Sequence, residues 1–212
     1  MTFDKHCLRL YAVTDRAWVG RQSLLEQVED ALRGGATCVQ LREKELPEEE
    51  FLREAVEMAE LCRRYHVPFL INDNVEIALR CGADGVHVGQ DDMAAAEARR
   101  LLGPDKIVGV SVHTPEEAEQ ALRDGADYLG VGAVFSTSTK TDVSVLTHEA
   151  LRAICGATPL PAVAIGGISL ANVQELAGSG VEGIAVVSAI FGAPEIREAA
   201  QALLAASEKM VG

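Results

Sequence analysis

Short apolar runs of β-type composition recur along this chain, and helical patterns separate them. Between the first two runs, Leu24, Val28 and Leu32 repeat at helical spacing, and similar repeats follow the later runs. The pattern predicts eight strands alternating with eight helices. The strands are expected at about 8–14, 38–43, 68–72, 85–89, 107–112, 128–134, 162–167 and 183–189, and the helices near 24–32, 51–62, 74–80, 93–102, 115–123, 147–154, 170–178 and 195–208.

Four segments repeat one helix-to-strand connection. Each has a glycine that can end a helix in the left-handed conformation, followed by a polar turn and an apolar run. Strict alternation without a linker predicts a single-domain α/β fold over residues 1–212, a (β/α)8 TIM barrel, with an open doubly wound sheet as the alternative. Such barrels usually need about 250 residues, so the loops must be short. The repeats are GGATCVQL from Gly34, CGADGVHV from Cys81, DGADYLGV from Asp124 and GSGVEGIAV from Gly178.

Composition and charge limit the classes of molecule that the chain is expected to bind. Apolar residues make up 48% of it and aromatic residues 4%, which suits aliphatic helix-on-sheet packing. A formal net charge of −13 disfavours nucleic acid and anionic membranes, so a phosphate site has to be built locally from cations, backbone N–H groups or a metal. Five scattered cysteines predict reduced thiols in a cytoplasmic protein. No apolar stretch approaches a membrane span, and a homo-oligomer is left open.

Polar residues mark the carboxyl end of the second predicted strand, the end at which barrels of this kind carry their active sites. Gln40, Arg42 and Lys44 alternate with apolar Val39 and Leu41. If the apolar pair packs outward on the helices, the three polar side chains point into the barrel mouth. Two cations and an amide at a concave site fit a pyrophosphate, although a frayed, solvated strand end would have the same composition.

Carboxylates follow the third and fourth predicted strands. Asn72 and Asp73 end the third strand, and Asp92 comes shortly after the fourth. Two carboxylates from neighbouring strands, beside phosphate-binding cations, predict a magnesium site. Capping of the helices that follow is the alternative for either aspartate.

The fourth and fifth strands add two histidines and a hydroxyl. Ser111 and His113 lie at the end of the fifth strand, and His87 faces inward from the fourth. A buried, hydrogen-bonded structural histidine is the expectation for His87. His113 fits a substrate contact and a loop residue equally, so neither histidine is assigned a role in the site.

The residues at the ends of the sixth, seventh and eighth predicted strands favour anion binding. Residues 136–141 carry five hydroxyls and a lysine, which suits an anion-binding loop that closes as a lid. Gly166, Gly167 and Ser188 lie at the ends of the seventh and eighth predicted strands, where barrels recurrently bind phosphate, although the glycines alone would also make a tight turn. No nucleophile–base pair and no nucleotide-binding motif is evident. The expected chemistry is therefore one that mainly stabilises a leaving group.

In this order, these pieces resemble the thiamine phosphate synthase family along nearly the whole chain. The resemblance implies a magnesium-dependent transferase in which a phosphorylated thiazole attacks an aminopyrimidine-methyl diphosphate and pyrophosphate leaves. Those two phosphorylated compounds are then the partners. The matching motifs are QLREK (40–44), INDNVEIAL (71–79), ADGVHVGQDD (83–92), GVSVH (109–113), TSTK (137–140), AIGGI (164–168) and VVSAI (186–190).

The resemblance also implies a role for each matching residue. Cations and a hydroxyl would act in catalysis, two carboxylates would hold Mg²⁺, and a larger set would bind the substrates. Residues 132–137 lack the prolines common in relatives, so that loop is expected to be less rigid. The catalytic set is Arg42, Lys44, Ser111 and Lys140, the metal set is Asp73 and Asp92, and the substrate-binding set is Gln40, Leu41, Arg42, Glu43, Lys44, Asn72, Ser111, Thr137, Ser138, Thr139, Lys140, Gly167, Val187 and Ser188.

Three other functions remain open on the sequence. A thiazole tautomerase, a related barrel, would need a proton-shuttling residue and would have little use for Lys44, Asp92 and Lys140 together. A non-catalytic barrel that binds thiamine intermediates would tolerate loss of the carboxylates, and both are present. A phosphate-binding isomerase of histidine or tryptophan synthesis would need an acid–base pair that is not evident here.

Overall fold

Eight parallel strands pair in chain order, and β8 pairs with β1 to close a barrel. The computed structural model describes residues 3–20, 22–90, 92–136 and 145–212. All eight expected strands are present, most of them shorter than the apolar run that predicts them, and the TIM barrel is confirmed. The strands are β1 Leu10–Val13, β2 Cys38–Leu41, β3 Phe69–Asn72, β4 Gly85–Val88, β5 Ile107–Val112, β6 Tyr128–Val131, β7 Ala162–Ile165 and β8 Gly183–Val186.

Helices follow the strands around the outside, with one exception. Between β7 and β8, the helix expected at 170–178 is only a 3₁₀ turn at Val173–Leu176. Asn172 tightens this connection by accepting from Ser169 N and donating to the Gly167 carbonyl. A short helix begins at Ser188, inside the segment predicted as the eighth strand. The helices are α1 Leu24–Arg33, α2 Glu48–Tyr65, α3 Val75–Cys81, α4 Ala95–Leu102, α5 Pro115–Arg123, α6 His148–Gly156, α7 Ser188–Phe191 and α8 Ile196–Val211.

The repeated glycine connections have the backbone conformation that the sequence predicts. Gly35, Gly82, Gly125 and Gly178 have φ angles of 97°, 71°, 83° and 75°, a region that side chains rarely adopt. Each connection reverses the chain directly into the next strand. The loops at the amino ends of the strands are therefore short.

Two hydrophobic clusters pack against the strands of the barrel, one on the outside and one on the inside. Val39 and Leu41 belong to the large outer cluster between strands and helices, as the alternation in β2 predicts. Tyr11, Cys38 and Tyr128 belong to the smaller inner cluster. Inward-facing residues that come later in each strand therefore lie at the carboxyl end of the barrel, above this inner cluster. Of the described helices, none has the length and hydropathy that a membrane crossing requires.

Candidate active site

A cavity of about 500 Å³ opens at the carboxyl ends of the strands. Residues from all eight strands, or from the loops that follow them, line it. The predicted site residues that line it are Gln40, Arg42, Lys44, Asn72, Asp73, Asp92, Ser111, Gly167, Val187 and Ser188.

Two members of the predicted substrate-binding set do not line this cavity. Leu41 is completely buried in the outer cluster, because β2 is still a regular strand at that position and alternation turns the side chain outward. Glu43 is buried beneath the loop after β2. Four further members, Thr137, Ser138, Thr139 and Lys140, lie outside the residues that the structure describes.

Arg42 is held at the cavity rim by residues that follow β1. Its backbone N–H donates to Thr14 Oγ1 at 3.0 Å, and its guanidinium Nη1 lies 3.4 Å from Asp15 Oδ2. Asp15 is itself fixed, since it accepts from Ala17 N at the start of a 3₁₀ turn. The contact orients the guanidinium, whose other donors can bind an anion. Asp15 did not figure in the sequence prediction.

Glu43 organises the loop that carries Arg42 and Lys44. Its Oε1 accepts from the backbone N–H groups of Lys44 and Glu45 at 2.8 Å each, and its Oε2 lies 2.7 Å from the Arg16 guanidinium. Burial alone would raise the pKa of Glu43, but the backbone donors and Arg16 outweigh it and hold that pKa below its ordinary value. The carboxylate is therefore a structural anchor beneath the cavity rim.

Replacing Glu43 with glutamine is expected to lower the free energy of unfolding by about 2 kcal/mol at pH 7, because a charged acceptor of several hydrogen bonds is lost. Since the pKa of Glu43 is depressed in the folded state, the advantage of the wild type is present above its unfolded pKa of about 4.3. It is lost as the pH falls through the folded value. Urea unfolding at pH 7 and at a series of acidic pH values measures this. The exposed neighbour Glu45→Gln is the control, and equal stability of Glu43→Gln and wild type at pH 7 would contradict the anchor.

Asp73 presents its carboxylate to the cavity and does not cap a helix. Asn74 caps α3 by accepting from Ile77 N at 2.9 Å. Asp73 has a left-handed φ of 62°, a conformation that is costly for a residue with a side chain and is common at functional sites. Its Oδ1 accepts from Asn72 Nδ2 at 2.7 Å, and its Oδ2 contacts Lys44 Nζ.

Asp92 lies beside Asp73 in the cavity lining. Its Oδ2 accepts from Gly89 N at 2.8 Å, and α4 begins after Ala94 with no side-chain cap. Burial raises the pKa of Asp73, the Lys44 contact opposes this, and the neighbouring Asp92 carboxyl raises the pKa further. The two carboxyl groups are therefore close enough to interact. Within the described ranges, no cluster of three or more His, Cys, Asp or Glu residues could hold a metal.

Glycines allow close backbone packing on the opposite side of the cavity. Gly166 and Gly167 have φ angles of 104° and 65°. A Cβ at Gly167 would lie 2.3 Å from the Ser136 carbonyl oxygen, so only glycine fits between the loops after β6 and β7. Val187 and the first residue of α7, Ser188, line the same cavity. Backbone N–H groups at a helix start are suited to phosphate oxygens.

The inner part of the cavity is lined by residues that the sequence did not mark for the site. Tyr11 and His87 lie there together with Gln40, and Tyr128 lies buried behind them. The sequence feature that could have indicated them is a pair of tyrosines at inward-facing strand positions, in a chain with few aromatic residues. His87 is buried and hydrogen-bonded, as expected.

Comparisons with known proteins agree on one family. The model of the thiamine monophosphate synthase family matches residues 10–190. A probable thiamine biosynthetic bifunctional enzyme of Oryza sativa is 52% identical over 92% of this chain and 36% of the rice protein. A thiamine-phosphate synthase of Ruminiclostridium cellulolyticum is 48% identical over 92% of this chain and 93% of that protein.

A solved structure is similar over almost its whole length. The thiamine phosphate pyrophosphorylase from Pyrococcus furiosus superposes with a TM-score of 0.90 at 40% identity, covering 98% of this chain and 99% of that one. This chain therefore spans little more than a third of the rice protein but nearly all of the two microbial proteins.

Proposed function

This chain belongs to the thiamine monophosphate synthase family, and we propose that it joins an aminopyrimidine-methyl diphosphate to a phosphorylated hydroxyethyl-thiazole. The products are thiamine phosphate and pyrophosphate. One observation carries the proposal: two cations and two carboxylates converge on one cavity whose inner end is polar. A cytoplasmic location is proposed with it, because all five cysteines are free thiols.

In the proposed reaction, the bond between the pyrimidine methylene carbon and the diphosphate oxygen breaks, and its electron pair leaves with the pyrophosphate. The thiazole nitrogen lone pair forms the new carbon–nitrogen bond. The aminopyrimidine ring can stabilise positive charge at the methylene, so cleavage can run ahead of attack. The main task of the protein is then to stabilise negative charge on the leaving group and to hold the nitrogen in line.

Arg42 and Lys44 are proposed to bind the diphosphate. Arg42 offers a planar set of N–H donors that Asp15 holds in place. Lys44 contacts Asp73, and in the proposed complex its ammonium group lies between that carboxylate and the diphosphate. Both cations would interact more strongly with the departing pyrophosphate than with the bound ester, which is what lowers a barrier.

Asp73 and Asp92 are the residues proposed to hold Mg²⁺. Two neighbouring carboxylates fit this ion, which commonly takes one or two protein carboxylates and completes its shell with water and substrate phosphates. When bound, the ion supplies further positive charge to the leaving group.

The remaining predicted residues are proposed to bind the two heterocycles and the second phosphate. Gln40, Asn72 and Ser111 would contact the pyrimidine. Gly167, Val187 and Ser188 would contact the thiazole phosphate, in the position where barrels recurrently bind phosphate. On the family resemblance alone, Thr137, Ser138 and Thr139 would complete these contacts, and Lys140 would join Arg42 and Lys44 on the leaving diphosphate.

The test is release of pyrophosphate by the purified protein with both substrates and Mg²⁺, together with detection of thiamine phosphate. Each substrate alone is the control. Stoichiometric formation of both products supports the proposed function. A tautomerase would change the thiazole phosphate without releasing pyrophosphate, and absence of pyrophosphate release in the complete mixture would contradict the proposal.

A further inference from the structure

A chain of hydrogen bonds crosses the inside of the barrel below the cavity. Gln40 Nε2 donates to the Tyr11 hydroxyl at 2.6 Å, and the Tyr11 and Tyr128 hydroxyls are 2.9 Å apart. The Tyr128 hydroxyl lies 2.8 Å from His87 Nδ1, and His87 Nε2 lies 2.9 Å from Ser111 Oγ. We call these five residues the buried relay. It links five strands, and its two ends, Gln40 and Ser111, both line the cavity.

The chemistry of the donors fixes the direction of the relay. The Gln40 amide nitrogen can only donate, so the Tyr11 oxygen accepts, and the Tyr11 proton has the Tyr128 oxygen as its acceptor. Leaving a buried hydroxyl proton without an acceptor would cost about 1–3 kcal/mol. By the same argument, Tyr128 donates to His87 Nδ1. The His87 proton then lies on Nε2 and is donated to Ser111.

Burial keeps the tyrosines of the relay protonated. It raises the pKa of Tyr11 and of Tyr128 well above the ordinary tyrosine value. Both hydroxyls therefore remain donors at neutral pH. Since Ser111 Oγ accepts from His87, the Ser111 proton is directed to an acceptor other than His87.

The neighbouring strands leave space for the relay. A Cβ at Gly109 on β5 would lie 2.1 Å from the Tyr128 ring carbon Cζ, and a Cβ at Gly130 on β6 would lie 2.8 Å from His87 Cε1. From below, Phe3 stacks on Tyr128 with ring centroids 5.4 Å apart. Aliphatic side chains usually fill this part of a barrel. Here glycines replace them and a hydrogen-bonded polar network occupies the space, which favours one arrangement of its members.

We propose that Tyr11, Tyr128 and His87 are positioning residues that make Ser111 a hydrogen-bond donor to the substrate ring and fix the plane of the Gln40 amide. The ligand class that this selects is a flat heteroaromatic ring with an acceptor nitrogen and an adjacent amino group. This inference rests on the proposed function, in which an aminopyrimidine occupies the cavity. None of the three residues is proposed to contact the diphosphate.

The proton direction can be measured without any substrate. Nitrogen-15 NMR of the ligand-free protein at neutral pH distinguishes a protonated from an unprotonated imidazole nitrogen, and the His87→Gln spectrum identifies the His87 signals among those of the five histidines. The expected result is a neutral His87 with its proton on Nε2. A proton on Nδ1 would reverse the relay and overturn the inference, whatever reaction the protein catalyses.

The binding role is tested with Tyr128→Phe, which removes one hydroxyl and keeps the ring that stacks on Phe3. Calorimetric titration with the aminopyrimidine-methyl diphosphate and Mg²⁺, without thiazole, is expected to show a dissociation constant raised about tenfold, since one ligand hydrogen bond is lost. Inorganic pyrophosphate with Mg²⁺ is expected to bind within twofold of wild type. Tyr65→Phe, which removes a hydroxyl bonded to Glu29 on the outer helices, is the matched control and should change neither constant.

The outcomes separate this inference from the proposed function. If Tyr128→Phe weakens both ligands equally, it has loosened the site in general, and if it weakens neither, the relay does not serve the ring. Either result overturns the inference. Wild-type protein that binds the aminopyrimidine ligand but releases no pyrophosphate with both substrates would contradict the proposed reaction alone. Wild-type protein that does not bind this ligand would overturn both.

Discussion

Arg42→Ala is expected to lower kcat by about 10²–10³-fold, the range found when one preorganised donor to a developing negative charge is removed. In the proposed reaction, negative charge grows on the departing pyrophosphate, and the Arg42 guanidinium is held at the cavity rim by Asp15. Steady-state pyrophosphate release at saturating substrates and Mg²⁺ measures the effect. The side chain is 25% exposed and lies outside the hydrophobic clusters, so the unfolding free energy should change little.

Two further variants show whether the Arg42 effect is specific. Arg42→Lys keeps the charge but loses the planar set of donors, so its kcat should lie between those of wild type and Arg42→Ala. Arg100→Ala removes an exposed arginine that pairs with Glu97 on α4 and should leave kcat unchanged. A near-normal rate for Arg42→Ala would refute its assignment. On the family resemblance, Lys140→Ala should show a comparable loss.

The barrel follows from local features of the sequence. Helical and strand periodicities alternate through the chain, and glycines such as Gly82 and Gly125 have the positive φ that ends one element and starts the next. Alternation also places Gln40 inside, because its neighbours Val39 and Leu41 belong to the outer cluster. These predictions need only short-range information, since each depends on a few consecutive residues and on burial of one face.

The alternation of side chains predicts which way a residue faces only within a strand. β2 ends at Leu41, so the positions of the three residues after it depend on contacts with other segments. Glu43 turns inward under the loop because Arg16 lies there, 27 positions earlier in the chain. A second example is the helix expected at 170–178. Its first residues are held by the side-chain contacts of Asn172, which the spacing of apolar residues does not predict.

Long-range pairing explains why the inner end of the site was not predicted. The Tyr11 and Tyr128 hydroxyls meet although 117 positions separate them. A tyrosine in an apolar run predicts a buried ring, but it does not tell which hydroxyl or imidazole will lie opposite. Once the strand order and register are known, inward positions on β1, β4 and β6 become neighbours, and the hydrogen-bond partners follow from donor and acceptor chemistry.

A left-handed backbone and the contacts with Asn72 and Lys44 fix the position of Asp73. Asparagine tolerates this backbone conformation better than most residues. Asp73→Asn therefore removes the charge while it preserves the shape and the acceptor for Asn72. It is the cleanest test of the proposed Mg²⁺ site.

Asp73→Asn is expected to lower kcat by about 10²–10³-fold at Mg²⁺ concentrations that saturate the wild type, since the charge that a bound metal supplies is worth several kcal/mol and each 1.4 kcal/mol is about tenfold. Raising Mg²⁺ should recover part of the loss, because Asp92 remains. Pyrophosphate release across a Mg²⁺ series measures both effects, and calorimetric titration of Mg²⁺ with pyrophosphate should show weaker binding. Asp105→Asn, at an exposed position before β5, is the control for loss of one negative charge. If Asp73→Asn kept the wild-type rate and the wild-type Mg²⁺ dependence, Asp73 would not be a metal ligand.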